Sequence, residues 1–337
     1  MIFQEIKEAI LNGADFEDFL GQENVKIHLK SALISGHHVI LIGPPGVGKT
    51  TLAKNVAKLL KPITVNDCGF NCDPKDPWCP VCHSGKNIKT RVLSPEERFV
   101  RIQGSPDLTF EDLIGDIDPQ KALKHGAFSI EAFKPGKIFK ANKGILFFDE
   151  LNRCPPKLQN SLLQILEEKK ATIGSYELDL KSDFILIATM NPDDENTEPL
   201  SDVFLDRVDV IFVGYPEDAE VEKQIVLLKG KKLIDVKEDF VKIIVDFIRS
   251  LRRNENLEKK PSVRASLALY ERAQANALLN NRSEPTLDDI FNSLLSVLVH
   301  RIKLKPTVDF RMTNEEFLEK EFNAFMDKLK KSNGDYP

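Results

Sequence analysis

The feature that most constrains this chain is a glycine-rich segment that fits the phosphate-binding pattern G-x-x-x-x-G-K-[ST] at every fixed position. The apolar run 39–42 before it is typical of a buried strand, and residues 51–60 after it have helical periodicity. A chance turn rich in glycine and proline is disfavoured because both flanks fit. The segment is Gly43-Pro44-Pro45-Gly46-Val47-Gly48-Lys49-Thr50.

Each residue type in this P-loop has a physical role. Glycines let backbone N–H groups turn inward around a β-phosphate, and the N-terminus of the following helix adds partial positive charge. We expect Lys49 to contact the β and γ phosphates and the Thr50 hydroxyl to bind Mg²⁺. The loop residues expected to bind nucleotide are Gly43, Pro44, Pro45, Gly46, Val47, Gly48, Lys49, Thr50 and Thr51.

Apolar strands alternate with helical stretches in the first two thirds of the chain. Such alternation predicts an α/β fold, a parallel sheet wound with helices, with the nucleotide at the carboxyl ends of the strands. Further strands are predicted at Phe99–Ile102, Ile145–Phe148, Phe184–Thr189 and Val210–Val213.

Beyond Pro216 the pattern changes to amphipathic helices, predicted at 218–229, 238–253, 263–280 and 286–303. The capping box Thr313-x-x-Glu316 opens a last helix. We therefore predict a nucleotide-binding domain over 1–215 and a helical lid domain over 216–337.

Two carboxylates follow the apolar strand that ends at Phe148. In a wound parallel sheet they would lie at the same edge as the P-loop. We expect Asp149 to hold Mg²⁺ together with Thr50, and Glu150 to polarise the attacking water. The alternative is a strand that ends in a solvated turn.

Two further polar residues are candidates for contacts with phosphate. Asn191 follows the next strand, where an amide can hydrogen-bond the γ-phosphate or the water, although an Asn-Pro pair is also common in turns. Arg207 could stabilise charge on a nucleotide bound by a neighbouring subunit. Its alternative role is that of most arginines, a surface ion pair.

Four of the five cysteines fall within a short polar segment, which we call the cysteine knuckle (residues 66–86). Their spacing favours a tetrahedral, structural Zn²⁺ site, with an iron–sulfur cluster or free thiols as alternatives. Chain order predicts a position at the amino edge of the sheet, with a structural or partner-docking role. The expected ligands are Cys68, Cys72, Cys79 and Cys82, whereas Cys154 is expected to be buried and unpaired.

The order of P-loop, Asp149-Glu150, Asn191 and Arg207 resembles that of AAA+ ATPases. The stretch Glu150–Asn160 is similar to DEINRAPPKTQNALL of MoxR-type ATPases. Two more stretches, Gly115–Leu123 and Phe133–Gly136, resemble the ATPase subunit of magnesium chelatase.

This resemblance implies ATP hydrolysis by a homo-hexameric ring that acts on a partner with a von Willebrand factor A domain. It implies that Asn191 is sensor 1, that Arg207 is the arginine finger acting in trans, and that Arg264 is sensor 2, contributed by the lid. Arg252 and Arg253 are nearby alternatives to Arg264.

Residues 105–143 fit an insertion found in that clade. We predict two strands that meet at a turn near Lys124-His125-Gly126, with Phe128, Ile130 and Phe133 alternating along one face. A second hairpin is predicted over Lys169–Asp183, turning at Gly174-Ser175.

Composition narrows the functional classes. A formal charge of −5 argues against nucleic acid as the main partner. No stretch approaches the roughly 18 apolar residues of a membrane span, and the first residues lack an export signal, so we expect a cytoplasmic protein. The favoured function is an ATP-driven motor that remodels a partner protein or inserts metal into it. The alternatives are an MCM-like nucleic-acid translocase and a binding module gated by nucleotide.

Overall fold

A five-stranded parallel sheet forms the centre of the computed structural model, which describes residues 2–83, 88–126, 129, 132–173, 178–192, 194 and 197–333. The three inner strands are almost entirely buried, as expected of parallel strands covered on both faces. The α/β fold class is therefore confirmed. In spatial order the strands are β11 (Val208–Phe212), β1 (His38–Ile42), β10 (Ile185–Met190), β7 (Ile145–Asp149) and β4 (Phe99–Gln103).

The chain divides into two compact units. The first comprises Met1–Phe19, Glu23–Pro44 and Gly48–Val213, and the second comprises Leu20–Gln22, Pro45–Val47 and Gly214–Pro337. In the described part of the chain, no helix is both long and apolar enough to cross a membrane.

Helices and short antiparallel strand pairs surround the sheet in the first unit. The strand pairs are β2 (Ile63–Asn66) with β3 (Thr90–Leu93), β5 (Gly115–Ile117) with β6 (Phe133–Pro135), and β8 (Lys170–Ile173) with β9 (Leu178–Lys181). The helices are α1 (Ile2–Leu11), α2 (Glu23–Ser35), α3 (Lys49–Lys58), α4 (Pro80–His83), α5 (Phe110–Ile114), α6 (Pro119–His125), α7 (Lys137–Lys140), α8 (Pro156–Glu168) and α9 (Asp202–Leu205).

The predicted turn at Lys124-His125-Gly126 is wrong, because this part of the insertion is helical. Residues 119–125 form α6 between the three-residue strands β5 and β6. The side chain of Asp118 accepts hydrogen bonds from two backbone N–H groups of the first turn, and Pro119 opens the helix. Phe133 is buried in β6, whereas Phe128 and Ile130 lie outside the described residues.

The predicted hairpin over Lys169–Asp183 is present as the pair β8–β9, although Gly174 and Ser175 lie outside the described residues. The five predicted strands of the main sheet agree with the structure to within two residues at each end. Long apolar runs therefore located the sheet correctly.

The second unit is helical. The prediction of one helix over 286–303 is wrong at its end: the α-helix stops at Leu298, and Lys303–Leu304 forms a strand paired with Leu257–Lys259. Residues Val299–Arg301 form a short 3-10 turn after the α-helix, and Ile302 is already extended. The helices are α10 (Ala219–Lys229), α11 (Glu238–Arg253), α12 (Val263–Leu279), α13 (Leu287–Leu298), α14 (Pro306–Asp309) and α15 (Asn314–Asn333), and the two strands are β12 (257–259) and β13 (303–304).

Candidate active site and cysteine cluster

The P-loop connects β1 to α3. At two of its positions, Gly43 and Gly48, the backbone conformation or the space around it favours glycine. Gly48 has φ 100°, in the left-handed region that side chains disfavour. A Cβ atom on Gly43 would lie 2.0 Å from the carbonyl oxygen of Val213. Glycine at these positions therefore lets the chain turn closely beside β11 and enter the helix.

Lys49 is the first residue of α3, and its ammonium group lies within the loop. It donates hydrogen bonds to the carbonyl oxygens of Gly43 and Pro44, the latter at 2.9 Å. Thr50 and Thr51 follow in the first turn and are half-buried. A cation, a helix N-terminus and a glycine-rich loop fit a bound triphosphate.

Asp149 ends β7 and is held by two neighbours. The Thr189 hydroxyl donates a hydrogen bond to Asp149 Oδ1 at 2.7 Å, and the Arg101 guanidinium lies 2.6 Å from Asp149 Oδ2. Its side chain is only 16% exposed. A half-buried carboxylate at this sheet edge is the kind of ligand that Mg²⁺ prefers.

Glu150 has φ 57°, a left-handed conformation that turns the chain sharply after the strand. Its backbone N–H donates to Thr189 Oγ1 at 2.9 Å. Its carboxylate accepts a hydrogen bond from Gln103 at 2.8 Å and forms an ion pair with Arg153 at 3.1 Å.

Sheet register brings the predicted groups together. Ile42 pairs with Met190, and Ala188 pairs with Phe148, so β1, β10 and β7 end at the same edge. The P-loop, Asn191 and the Asp149-Glu150 pair follow these three strand ends. The edge therefore combines a phosphate loop, an amide and two carboxylates, which is the set of groups needed to bind Mg²⁺ and ATP and to activate water.

Arg207 is not part of this group. It precedes Val208, which pairs with His38 at the start of β1, whereas the P-loop follows Ile42 at the other end. Four residues of strand separate the two positions, or roughly 13 Å. Arg207 forms an ion pair with Glu167 and donates a hydrogen bond to the Val203 carbonyl at 2.8 Å.

In the second unit the candidate arginines differ in exposure. Arg264 is exposed in the first turn of α12, and Arg253 is exposed at the end of α11. Arg252 is buried and donates to both oxygens of Glu222, at 2.5 and 2.8 Å. Arg252 is therefore a structural residue and not an alternative to Arg264.

Sequence reasoning missed the side chains that surround the carboxylates: Arg101, Gln103, Arg153 and Thr189. Arg101 and Gln103 lie two residues apart on β4 and so share a face, which was visible as strand alternation. The pairing of β4 with β7 was not visible, since it joins segments more than forty residues apart.

The four knuckle cysteines converge. Their Sγ atoms all lie within 4.8 Å of one another, and all four thiols are free of disulfides. Hydrogen bonds from the thiols of Cys72 and Cys79 lower the pKa of Cys68. The same hydrogen bonds raise the pKa of Cys72 and Cys79, because a thiol that donates its proton keeps it more tightly. Backbone and amide donors also contact sulfur, with Asn66 Nδ2 lying 3.3 Å from Cys82 Sγ. Four convergent sulfurs can hold a zinc ion, which would replace these protons.

The knuckle is anchored near the start of β7, away from Asp149. Phe70 packs against Trp78, Phe133 and Phe139, with ring centroids 5.1 to 6.3 Å apart. Asn142, three residues before β7, donates to the Phe70 carbonyl at 3.0 Å. The cluster is therefore at the amino edge of the sheet, as chain order predicts.

The fold and these groups define an ATPase of the P-loop class that uses Mg²⁺. Three family models match separate stretches of the chain: the ATPase family associated with various cellular activities (AAA) over residues 82–210, magnesium chelatase subunit ChlI over 15–69, and the AAA lid domain over 250–321. These matches confirm the resemblance to AAA+ ATPases of the group that contains MoxR-type proteins and the ATPase subunit of magnesium chelatase.

Curated relatives match over most of their length. A magnesium-chelatase subunit ChlI homolog of Methanocaldococcus jannaschii is 28% identical, covering 92% of this chain and 91% of its own. YeaC of Bacillus subtilis is 28% identical, covering 90% and 88%. ChlI-2 of Arabidopsis thaliana chloroplasts is 28% identical, covering 86% and 76%. A solved ATPase structure from Cytophaga hutchinsonii has a TM-score of 0.45 and 24% identity, covering 96% and 94%.

Proposed function

We propose that this ATPase works as a ring of six copies, in which two neighbouring chains complete each ATP site. The observation that carries the shared site is the position of Arg207 at the amino end of β11, at the opposite end of the sheet from the P-loop of the same chain, whereas the number of six copies rests on the family resemblance. This separation supports contact of the guanidinium with a neighbour's nucleotide and not with the chain's own. On a neighbour's nucleotide it would stabilise the charge that develops on the γ-phosphate.

The roles of the remaining residues follow from the sheet edge. Lys49 and the P-loop backbone bind the phosphates, and Thr50 and Asp149 hold Mg²⁺, which neutralises phosphate charge when bound. Glu150 takes a proton from the attacking water, and Asn191 orients that water or the γ-phosphate. We assign Arg264 to nucleotide contact from the lid, which its exposed position at the start of α12 supports.

The work done by hydrolysis is directed at a partner protein. We propose that the ring remodels this partner or inserts a metal ion into it, and that the partner carries a von Willebrand factor A domain. The relatives named as magnesium-chelatase subunits and the family resemblance support this target class. Free cysteines suit a reducing compartment, so we place the protein in the cytoplasm, with structural Zn²⁺ in the knuckle.

Mixing two inactive variants tests the shared site. Glu150→Gln lacks the proton acceptor but supplies Arg207, whereas Arg207→Ala lacks the cation but keeps Glu150. Each variant alone should hydrolyse ATP slowly, and the mixture should regain activity because some interfaces combine an intact Glu150 with an intact Arg207. Two folded, assembling variants that stay inactive when mixed would refute a shared site.

A trapped complex tests the partner. Glu150→Gln should bind ATP without cleaving it and hold the partner long enough for purification and mass spectrometry. Lys49→Ala is the matched control, because it removes a phosphate contact. The proposal predicts that a protein with a von Willebrand factor A domain is enriched with Glu150→Gln and not with Lys49→Ala.

A further inference from the structure

A surface cavity of about 510 Å³ in the first unit lies beside β4, between the cysteine knuckle, β3 and α7. Its size falls in the range of small-ligand sites. The lining includes four cationic side chains, Arg91, Arg101, Lys137 and Lys140, and one carboxylate, Glu97.

The lining residues carry a net positive charge, whereas the formal charge of the whole chain is −5. Arg91 forms ion pairs with Asp67 and Glu97, each at 3.6 Å. Within the described ranges, neither Lys137 nor Lys140 has an ion-pair partner, and both are exposed on α7. Two exposed ammonium groups and two guanidinium groups around one cavity favour an oxyanion as the ligand.

Arg101 connects this cavity to the ATP site. Its guanidinium lines the cavity and also lies 2.6 Å from Asp149 Oδ2. The Arg101 side chain is 53% exposed, so it has room to move, whereas Asp149 is 16% exposed and fixed by Thr189. A guanidinium on this oxygen competes with Mg²⁺ for the same carboxylate, because both are cations that need its charge.

We propose that the cavity binds an oxyanion, a carboxylate or phosphate group, and that the bound anion draws Arg101 away from Asp149. Asp149 then holds Mg²⁺ more readily. The inference rests on the assignment of Asp149 to Mg²⁺ in the proposed function. Coupling between two sites is reciprocal, so Mg²⁺ with nucleotide tightens anion binding by the same factor as the anion tightens Mg²⁺ binding.

The first experiment measures anion binding to the full chain by calorimetry. The probes are inorganic phosphate, which represents a free ion, and a glutamate-rich peptide, which represents an acidic segment of a protein. Lys137→Gln combined with Lys140→Gln should weaken binding of whichever probe is the better ligand. The control is Lys328→Gln with Lys331→Gln, which removes the same charge at the same spacing from an exposed face of α15.

The outcomes distinguish a free ion from an acidic protein segment as the source of the oxyanion, and they also test whether the cavity binds an oxyanion at all. Tighter binding of phosphate identifies a free ion, and tighter binding of the peptide identifies an acidic protein segment. If neither probe binds, or if the control pair loses as much binding as the cavity pair, the cavity is not an anion site and the proposal fails.

The second experiment measures the Mg²⁺ concentration at half-saturation for binding of a fluorescent ATP analogue. The probe anion should lower this midpoint by up to about fivefold, the factor that corresponds to an exposed ion pair. Arg101→Gln should have a low midpoint without the anion and should not respond to it. A wild-type midpoint that ignores the anion overturns the proposal.

Asp149→Ala tests the assignment of Asp149 as a Mg²⁺ ligand separately from the coupling through Arg101. If that variant keeps the wild-type Mg²⁺ midpoint, Asp149 is not a Mg²⁺ ligand, and the proposed function loses that residue. If Asp149→Ala raises the midpoint while the anion and Arg101→Gln have no effect, only the coupling through Arg101 is wrong.

Discussion

His38, at the start of β1, illustrates how one side chain can make stability depend on pH. Its Nδ1 accepts a hydrogen bond from the backbone N–H of Leu186 at 3.1 Å, and the rings of Phe3 and Phe184 lie nearby. Burial lowers the pKa of His38 from 6.5 to about 4. The folded protein therefore holds this imidazole neutral in a pH range where the unfolded chain protonates it.

We predict that the free energy of unfolding falls as the pH is lowered from 6.5 to 4. In this interval the unfolded state binds the proton more tightly, and the full shift corresponds to roughly 3 kcal/mol. Denaturant titrations at several pH values measure the effect. His38→Asn can keep an acceptor for Leu186 but does not titrate, so the wild type should lose more stability than the variant. Parallel curves for the two proteins would contradict the prediction.

At the scale of elements, two polar anchors fix the amino edge of the sheet. Arg98 is 2% exposed and forms two hydrogen bonds with Glu5 of α1, at 2.7 and 2.8 Å. The same guanidinium donates to the carbonyl oxygens of Lys61 and Lys143. The cysteine knuckle is the second anchor, through Phe70 and Asn142.

Arg98→Met should lower the free energy of unfolding by about 3 to 5 kcal/mol, because it removes the ion-pair partner of the Glu5 carboxylate and the guanidinium hydrogen bonds to two carbonyl groups. Adding Glu5→Gln to this variant should recover part of the loss, since the unpaired charge is then absent. Denaturant unfolding of both single variants and the double variant gives the interaction energy. Additive losses would mean that the two side chains are not coupled.

The knuckle makes a separate prediction about metal. The purified protein should contain one Zn²⁺ per chain, and Cys72→Ser should lose the metal and lower the melting temperature by about 10 °C, since a metal that binds only the folded state adds several kcal/mol. Metal analysis and thermal unfolding measure the two effects. Cys154→Ser is the matched control, because Cys154 is also buried but lies outside the cluster. Metal-free wild type would rule out a metal site.

For the whole molecule, assembly governs activity in the proposed function. The rate of ATP hydrolysis per chain should rise with protein concentration and then level off, because isolated chains lack a neighbour's Arg207. Arg207→Ala should be slow at every concentration, with a loss of roughly a thousandfold or more if it acts as an arginine finger. Steady-state assays over a dilution series, with the assembly state measured by light scattering, test this. Full activity in strictly monomeric material would contradict it.

The sequence predicted the parts of the fold that depend on local pattern. Apolar runs located the strands of the sheet. The fixed positions of the P-loop pattern identified the loop in which Lys49 donates to backbone carbonyl groups. Contacts across the sheet could not be predicted, since the Arg101–Asp149 pair depends on which strands are neighbours. The helix at 119–125 departs from the predicted hairpin, although Asp118 and Pro119 are typical of a helix start.

The buried contact between Glu222 and Arg252 has a consequence for descent. Glu222 is fully buried, and it also accepts a hydrogen bond from the Ser266 hydroxyl at 2.7 Å, so one carboxylate joins α10, α11 and α12. Loss of Glu222 would leave the buried Arg252 guanidinium without its carboxylate partner, and loss of Arg252 would leave the buried Glu222 carboxylate with the more distant Arg249, 3.6 Å away. Substitutions at the two positions should therefore be coupled in evolution. Homologues should either keep both residues or replace both, and homologues with only one of the two should be rare.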